Sequence, residues 1–261
     1  MRSLLLAALL LAAVQPPRPA PPTAEQIARH VQDRDTGRDS RADLRMKLFD
    51  RRGRARDRAL TLLALRRPEG DRSLIRFTYP NDIRGTGFLV WEHPKGDDER
   101  FLYLPSLGRV RRIAGSEAQE SFVGSDFSYE DIGGREFDDY TYTLLEENAT
   151  WTPPGGQARP AYRLESRRTD ASVEFPRVVS LILKDSYVVV RAEIYNRRNE
   201  QQKVYTVGRL EQVQGIWTVL TSVMTNDLDR TRTELLVDKI AYNTGLTEAA
   251  FSRRELEGAA R

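Results

Sequence analysis

Ser125 and Asp126 stand side by side in "GSDFSYEDIGG", residues 124–134. A serine beside a carboxylate is raw material for an acyl-transfer nucleophile. That chemistry also needs a base and an exposed elbow, and the chain has no G-x-S-x-G sequence and no histidine near this segment. Paired carboxylates occur at Asp138–Asp139 and Glu146–Glu147, with an acidic run at Asp97-Asp98-Glu99. They fall at strand ends and in a turn, where solvated charge is the ordinary reading. The two histidines, His30 and His93, have no ligand spacing, which argues against a metal site. "RGTGF" has two glycines before a strand and reads as a turn, not a phosphate cradle. The absence of cysteine excludes disulfides, thiolate ligands, thiol catalysis and lipid attachment through a cysteine. The residues therefore predict no catalytic centre, no metal and no cofactor.

The bulk numbers narrow the class further. Among 261 residues, 41 basic and 38 acidic side chains leave a net charge of +3, which argues against a nucleic-acid binder. Of the basic residues 36 are arginine, a bias read as genomic rather than phosphate-binding. A hydrophobic content of 39% is enough for a core.

The N-terminus, "MRSLLLAALLLAAVQ", has one arginine, an apolar stretch from Leu4 to Val14 and then prolines. This is the pattern of a signal peptide, and it is too short for a span of about 20 residues; a start-transfer anchor is the alternative. Residues 1–20 are assigned to a cleavable leader and 21–261 to one exported, periplasmic domain. Thr23 followed by Gln26 forms a capping box for a short amphipathic helix over about 23–34, with Ala24, Ile27, Ala28 and Val31 on one face.

From residue 41 the apolar period becomes two. "ADLRMKLFD", "RALTLLALRR", "SLIRFTYP", "GFLVWEH", "RFLYLP" and the arginine-rich "GRVRRIAG" come first. After Gly134 follow "DDYTYTLLEE", "AYRLESRR", "RVVSLILKD", "YVVVRAEIYN", "QKVYTVGRLEQ", "GIWTVLTSVMTND" and "RTRTELLVDKIAYN". Short turns and no crossover helices predict an antiparallel meander, counted as about eleven strands. The pattern breaks at 114–134, and "LTEAAFSRRELEG" closes the chain with a helical segment that Thr247 is placed to cap. A sheet this wide must curl. The predicted inward set is Phe77, Tyr79, Phe88, Val90, Tyr140, Tyr142, Leu181, Leu183 and Trp217. The two short helical segments carry few apolar residues, so a hydrophobic pocket and a well-packed sandwich both remain open.

The central stretch "DIRGTGFLVWEHPKGDDERFLYLPSLGRVRRIAGSEAQESFVGSDFSYEDI" resembles the outer-membrane lipoprotein-sorting proteins, the LolA-like exported carriers, in the branch that has "GSDFSYED". The resemblance implies a mainly β fold: an incomplete antiparallel β-barrel of about eleven strands, with short helices as a lid over an apolar cavity. It implies a non-enzymatic periplasmic carrier, a monomer, that moves lipid or lipoprotein acyl chains between envelope membranes. An inner-membrane transporter and an outer-membrane acceptor would be its partners. Trp91, Leu102 and Leu104 then join the lining set. Phe122, Gly124, Ser125, Asp126, Phe127 and Tyr129 become lid and hinge, with Phe122 and Phe127 facing the cavity and Asp126, Glu130 and Asp131 capping turns or meeting solvent. The alternative is a non-catalytic envelope adaptor or transporter accessory protein with a filled core.

Overall fold

The computed structural model describes residues 21–94 and 96–258. The leader assigned to 1–20 lies outside the described residues.

Every alternating segment quoted above is a strand, so the sheet has thirteen strands rather than about eleven. They are β1 (Asp39–Phe49), β2 (Ala55–Leu65), β3 (Arg72–Tyr79), β4 (Gly87–Trp91), β5 (Glu99–Leu104), β6 (Arg109–Ile113), β7 (Tyr140–Trp151), β8 (Arg159–Arg168), β9 (Arg177–Leu183), β10 (Val189–Tyr195), β11 (Gln201–Val213), β12 (Ile216–Asn226) and β13 (Thr231–Tyr242). The order across the single sheet is β6-β5-β4-β3-β2-β1-β13-β12-β11-β10-β9-β8-β7, antiparallel throughout. The meander is thus wound as a circle. β1 pairs with β13, from Ser40 opposite Tyr242 to Phe49 opposite Arg232. The open seam falls between β6 and β7, and the chain between those two edges is the interrupted segment around 114–139.

Twist curls so wide a sheet and gives it a concave face. Helix α1 (Ala24–Asp33) covers one part of it. The capping box forms as expected: the Thr23 N–H donates to Gln26 Oε1 at 2.8 Å and the Gln26 N–H to Thr23 Oγ1 at 3.2 Å. Ile27 and Ala28 are buried against Tyr162, Leu164 and Ile182. The seam segment covers the rest with short 3-10 turns and helix α2 (Tyr129–Gly133).

The outer face of β3–β5 is also covered. The C-terminal segment forms a 3-10 turn at Glu248–Phe251 and then helix α3 (Arg253–Gly258). The Thr247 side chain makes no capping bond; Ser252 Oγ instead accepts from the Glu255 N–H at 3.1 Å. Phe251 and Leu256 pack on Leu74, Leu89, Phe101 and Tyr103. Gly87 lets α3 lie this close, because a Cβ there would stand 2.6 Å from Leu256 Cδ1. Burial on both sides explains the continuous apolar run "GFLVW".

Candidate functional site

The concave floor near β1–β5 is built by strand alternation. Ile75 and Phe77 of β3, Phe88 and Val90 of β4, and Leu102 and Leu104 of β5 share one face with Met46, Leu48 and Leu60. Phe122 of the seam segment sits on this floor with 0% exposure. Its ring is 5.8 Å from Phe77, 5.4 Å from Phe88 and 5.7 Å from Tyr129. Phe127 reaches the other way, onto Phe175, Val178, Ala192, Ile194 and Met224. The segment is a plug: two aromatics splay from a tight turn onto opposite halves of the floor. Gly124 at the tip has φ +72°, a left-handed value that glycine adopts without a Cβ penalty.

Polar bonds fix the plug in register. The Asp126 carboxylate accepts from the hydroxyls of Thr231 and Thr233, the latter at 2.7 Å, and its N–H donates to Thr233 Oγ1 at 3.0 Å. Arg58 donates to the Val123 carbonyl at 2.7 Å. Ser121 Oγ donates to the Ser125 carbonyl at 2.6 Å, and Ser125 Oγ to the Phe127 carbonyl at 3.3 Å. Ser125 and Asp126 are therefore both engaged in anchoring the turn. Ser128 and Asp131 cap α2 reciprocally, at 3.0 and 2.9 Å. Burial opposes ionisation of Asp131, but the Arg135 guanidinium and the Ser128 N–H outweigh it and hold the carboxyl below the usual range.

Glu130 is not in solvent, contrary to expectation; it is buried. Arg168 Nη1 lies 3.1 Å from both of its oxygens, and the Tyr140 hydroxyl donates to it. Arg135 Nε stands 3.8 Å away. Burial first, and then the Glu130 carboxylate, push the Tyr140 hydroxyl up, against the pull of Arg135. A second charged clasp holds the plug's exit: buried Arg100 donates to Asp98 at 2.9 Å, Glu136 at 3.3 Å and the Gly134 carbonyl at 3.2 Å.

Four of the expected lining residues lie elsewhere, and Tyr79 is one more departure at the rim. Tyr79 ends β3 just past the irregularity at Ala59/Leu60 and is 54% exposed. Trp91 points to the outer face, where its Nε1 donates to the Phe251 carbonyl at 2.8 Å. In β9 the inward positions are Val178 and Ile182, beneath Phe127 and α1, so Leu181 and Leu183 face outward. Trp217 alternates with the inward Met224 of β12 and packs outside with Arg159, 4.5 Å from the ring centroid. Tyr140 and Tyr142 do lie on the concave side, the first on Glu130 and the second under α1. Sequence reasoning missed Met46, Leu48 and Leu60 as floor, and the buried Glu130–Arg168 and Arg100 clasps. Only a carboxylate followed by an arginine 38 positions later could have signalled the former.

The plug leaves little room. The cavity between it and strands β7 and β9–β11, lined by Glu130, Arg135, Tyr140, Phe175, Val178 and Lys203, holds about 10 Å³, space for about one water. Filling is done by few but large side chains, since an aromatic buries far more area than its count suggests. A shallow depression of about 340 Å³ lies on the outer face among Glu146, Arg163, Leu181, Arg191 and Glu193.

Glu92, at the end of β4, stands against the plug's exit: a Cβ on Gly134 would meet its Oε1 at 3.1 Å. Burial first, then the carboxylates of Asp71 and Asp98, push its carboxyl up to about 7, with Arg100 and Arg72 opposing. A carboxyl with a raised folded pKa holds its proton more firmly when folded. Its contribution is therefore best below the unfolded value and is lost as pH rises through about 7. Glu92→Gln is expected to raise the melting temperature at about pH 8 and to leave it nearly unchanged at about pH 4. Thermal scans at both values check this, and an equal shift at both would refute the assignment.

An open antiparallel sheet curled around short helical cover, with an apolar concave face, defines an incomplete-barrel fold. A crystal structure from Vibrio parahaemolyticus, described as a candidate outer membrane lipoprotein-sorting protein domain, is similar at 31% identity, covering 90% of this chain and 98% of that one, with TM-score 0.80. A DUF1329 family protein from Desulfovibrio piger is similar at 29% identity, covering 89% and 97%, with TM-score 0.79. A LolA superfamily protein from Nitrosomonas europaea shares the fold at 16% identity, covering 88% and 97%, with TM-score 0.66. A family model described as "Uncharacterized protein" matches residues 69–258. No curated protein matches the chain. The chain belongs to the outer membrane lipoprotein-sorting protein family.

Proposed function

We propose that the protein is a non-catalytic periplasmic carrier of lipid or lipoprotein acyl chains, with residues 21–261 as the carrier unit behind a cleaved leader. An inner-membrane donor and an outer-membrane acceptor would serve it. The observation that supports this most is the plug. Phe122 and Phe127 occupy an apolar floor that the sheet itself forms, and the plug is joined to that floor by a limited set of polar clasps. A guest tail would take the place of those rings. Each buried CH₂ is worth about 0.8 kcal/mol, so one acyl chain supplies on the order of 10 kcal/mol gross. Because loading must displace the plug, the net gain is smaller, and the returning plug assists release.

The absence of native cysteine allows a clean test. In the double variant D126C/T233C a disulfide would pin the plug tip to β13. The oxidised form, verified by intact mass, is expected to exclude a fluorescent fatty acid that the reduced form takes up. Uptake that ignores the redox state would remove the plug from the mechanism. If neither form nor the parent protein takes up the probe, the filled-core adaptor reading prevails.

A further inference from the structure

The two ends of the half-barrel are chemically unlike. One end carries the turns 50–54, 80–86, 105–108, 196–200 and 227–230, which follow one another along the rim. Counted with their flanking residues, over 50–56, 80–86, 105–109, 196–200 and 227–232, they hold ten arginines against five carboxylates. All ten arginines are exposed. Asp50, one of the carboxylates, is already bound by Arg54 at 2.7 Å. The other end, at turns 66–71, 92–98, 152–158, 184–188 and 214–215, counted with two flanking residues on each side, holds seven basic against seven acidic residues. Among the described residues four large hydrophobic side chains are exposed: Tyr79, Leu107, Leu145 and Leu228. Leu107 and Leu228 tip two turns of the basic end, and Tyr79 begins a third. Leu145 alone lies elsewhere, along β7. The basic arc stops at the loop 169–176, which carries Asp170 and Glu174.

We propose that this basic rim is a docking surface for an anionic lipid bilayer. Single apolar side chains on separate turn tips, spaced by arginines, suit a headgroup layer, where each tip dips in while guanidinium groups meet phosphates. A protein partner would call for a contiguous apolar patch, and these tips are separated by charge. The plug tip opens at the same end: Asp126 is held by Thr231 and Thr233 at the start of β13, and Val123 by Arg58 near the start of β2. Docking would thus set the exit of the concave face against the membrane. This rests on the carrier reading for its purpose, but the surface is tested without it.

The test is flotation of the whole chain with vesicles of phosphatidylglycerol and phosphatidylcholine, compared with phosphatidylcholine alone. Wild type is expected to float with the anionic vesicles only, and added salt should release it. The charge reversal R51E/R52E/R197E/R198E is expected to weaken partitioning at least about tenfold. The variant L107S/L228S, with the charges intact, is expected to weaken it by a smaller factor. All six side chains are exposed, so both variants should melt with wild type. No flotation, equal flotation with neutral vesicles, or charge-reversed protein that floats like wild type would each overturn the proposal. Fatty-acid uptake in vesicle-free solution, measured on the same variants, separates the two readings. Uptake without flotation sinks the rim alone, and flotation without uptake sinks the carrier alone.

Discussion

Phe122→Ala is expected to cost about 3–5 kcal/mol of stability and at the same time to strengthen fatty-acid binding. The ring is fully buried and touches Phe77, Phe88 and Tyr129, so its removal leaves a hole that the floor cannot close. The loss falls on the docked plug more than on the sheet, whose strands keep their ladders. A plug bound less firmly is open more often, and a ligand that needs the open form gains by that fraction. Hydrogen exchange should rise across 118–133 while β1, β2 and β13 stay protected. Faster exchange in the plug with no gain in fatty-acid affinity would show that the concave floor is not the acyl site.

Arg168→Met is expected to destabilise by about 3–5 kcal/mol, because it strands the Glu130 carboxylate in a buried place. Tyr140 still donates to Glu130, and Arg135 at 3.8 Å is too distant to replace two contacts at 3.1 Å. The double variant E130Q/R168M removes both charges and should recover much of the loss. Chemical denaturation of the three proteins measures these differences. A double variant no more stable than Arg168→Met would mean that the arginine acts through packing or through Asp139, 2.7 Å from its Nη2, instead.

The strands were legible because most alternate apolar and polar side chains plainly, and α1 because Thr23 and Gln26 cap it. The faces were legible only where one side meets water. "GFLVW" and "VVSLIL" are apolar at every or nearly every position, since both sides are covered, and parity then has no reference. That is how Trp91, Leu181 and Leu183 came to be placed inside. Trp217 failed for a related reason: burial outside, against Arg159, looks in sequence like burial inside. The pairing of β1 with β13 left no local trace, and neither did Glu130 with Arg168, because both join distant parts of the chain. The extent of filling was missed because a tally of apolar residues underrates three aromatics, Phe122 and Tyr129 on one half of the floor and Phe127 on the other.

The ring-like winding of the sheet has a consequence for how the molecule is made. Strand β1 has β13 as one neighbour, so one of its two edges must wait until the chain through Tyr242 exists. Contacts so far apart in sequence form slowly, because a long loop must close before they reward the closure. A nascent chain halted anywhere before Thr231 would stay short of its native form, which keeps it threadable through a narrow passage. Maturation would then come as a late, concerted step, triggered when the thirteenth strand arrives.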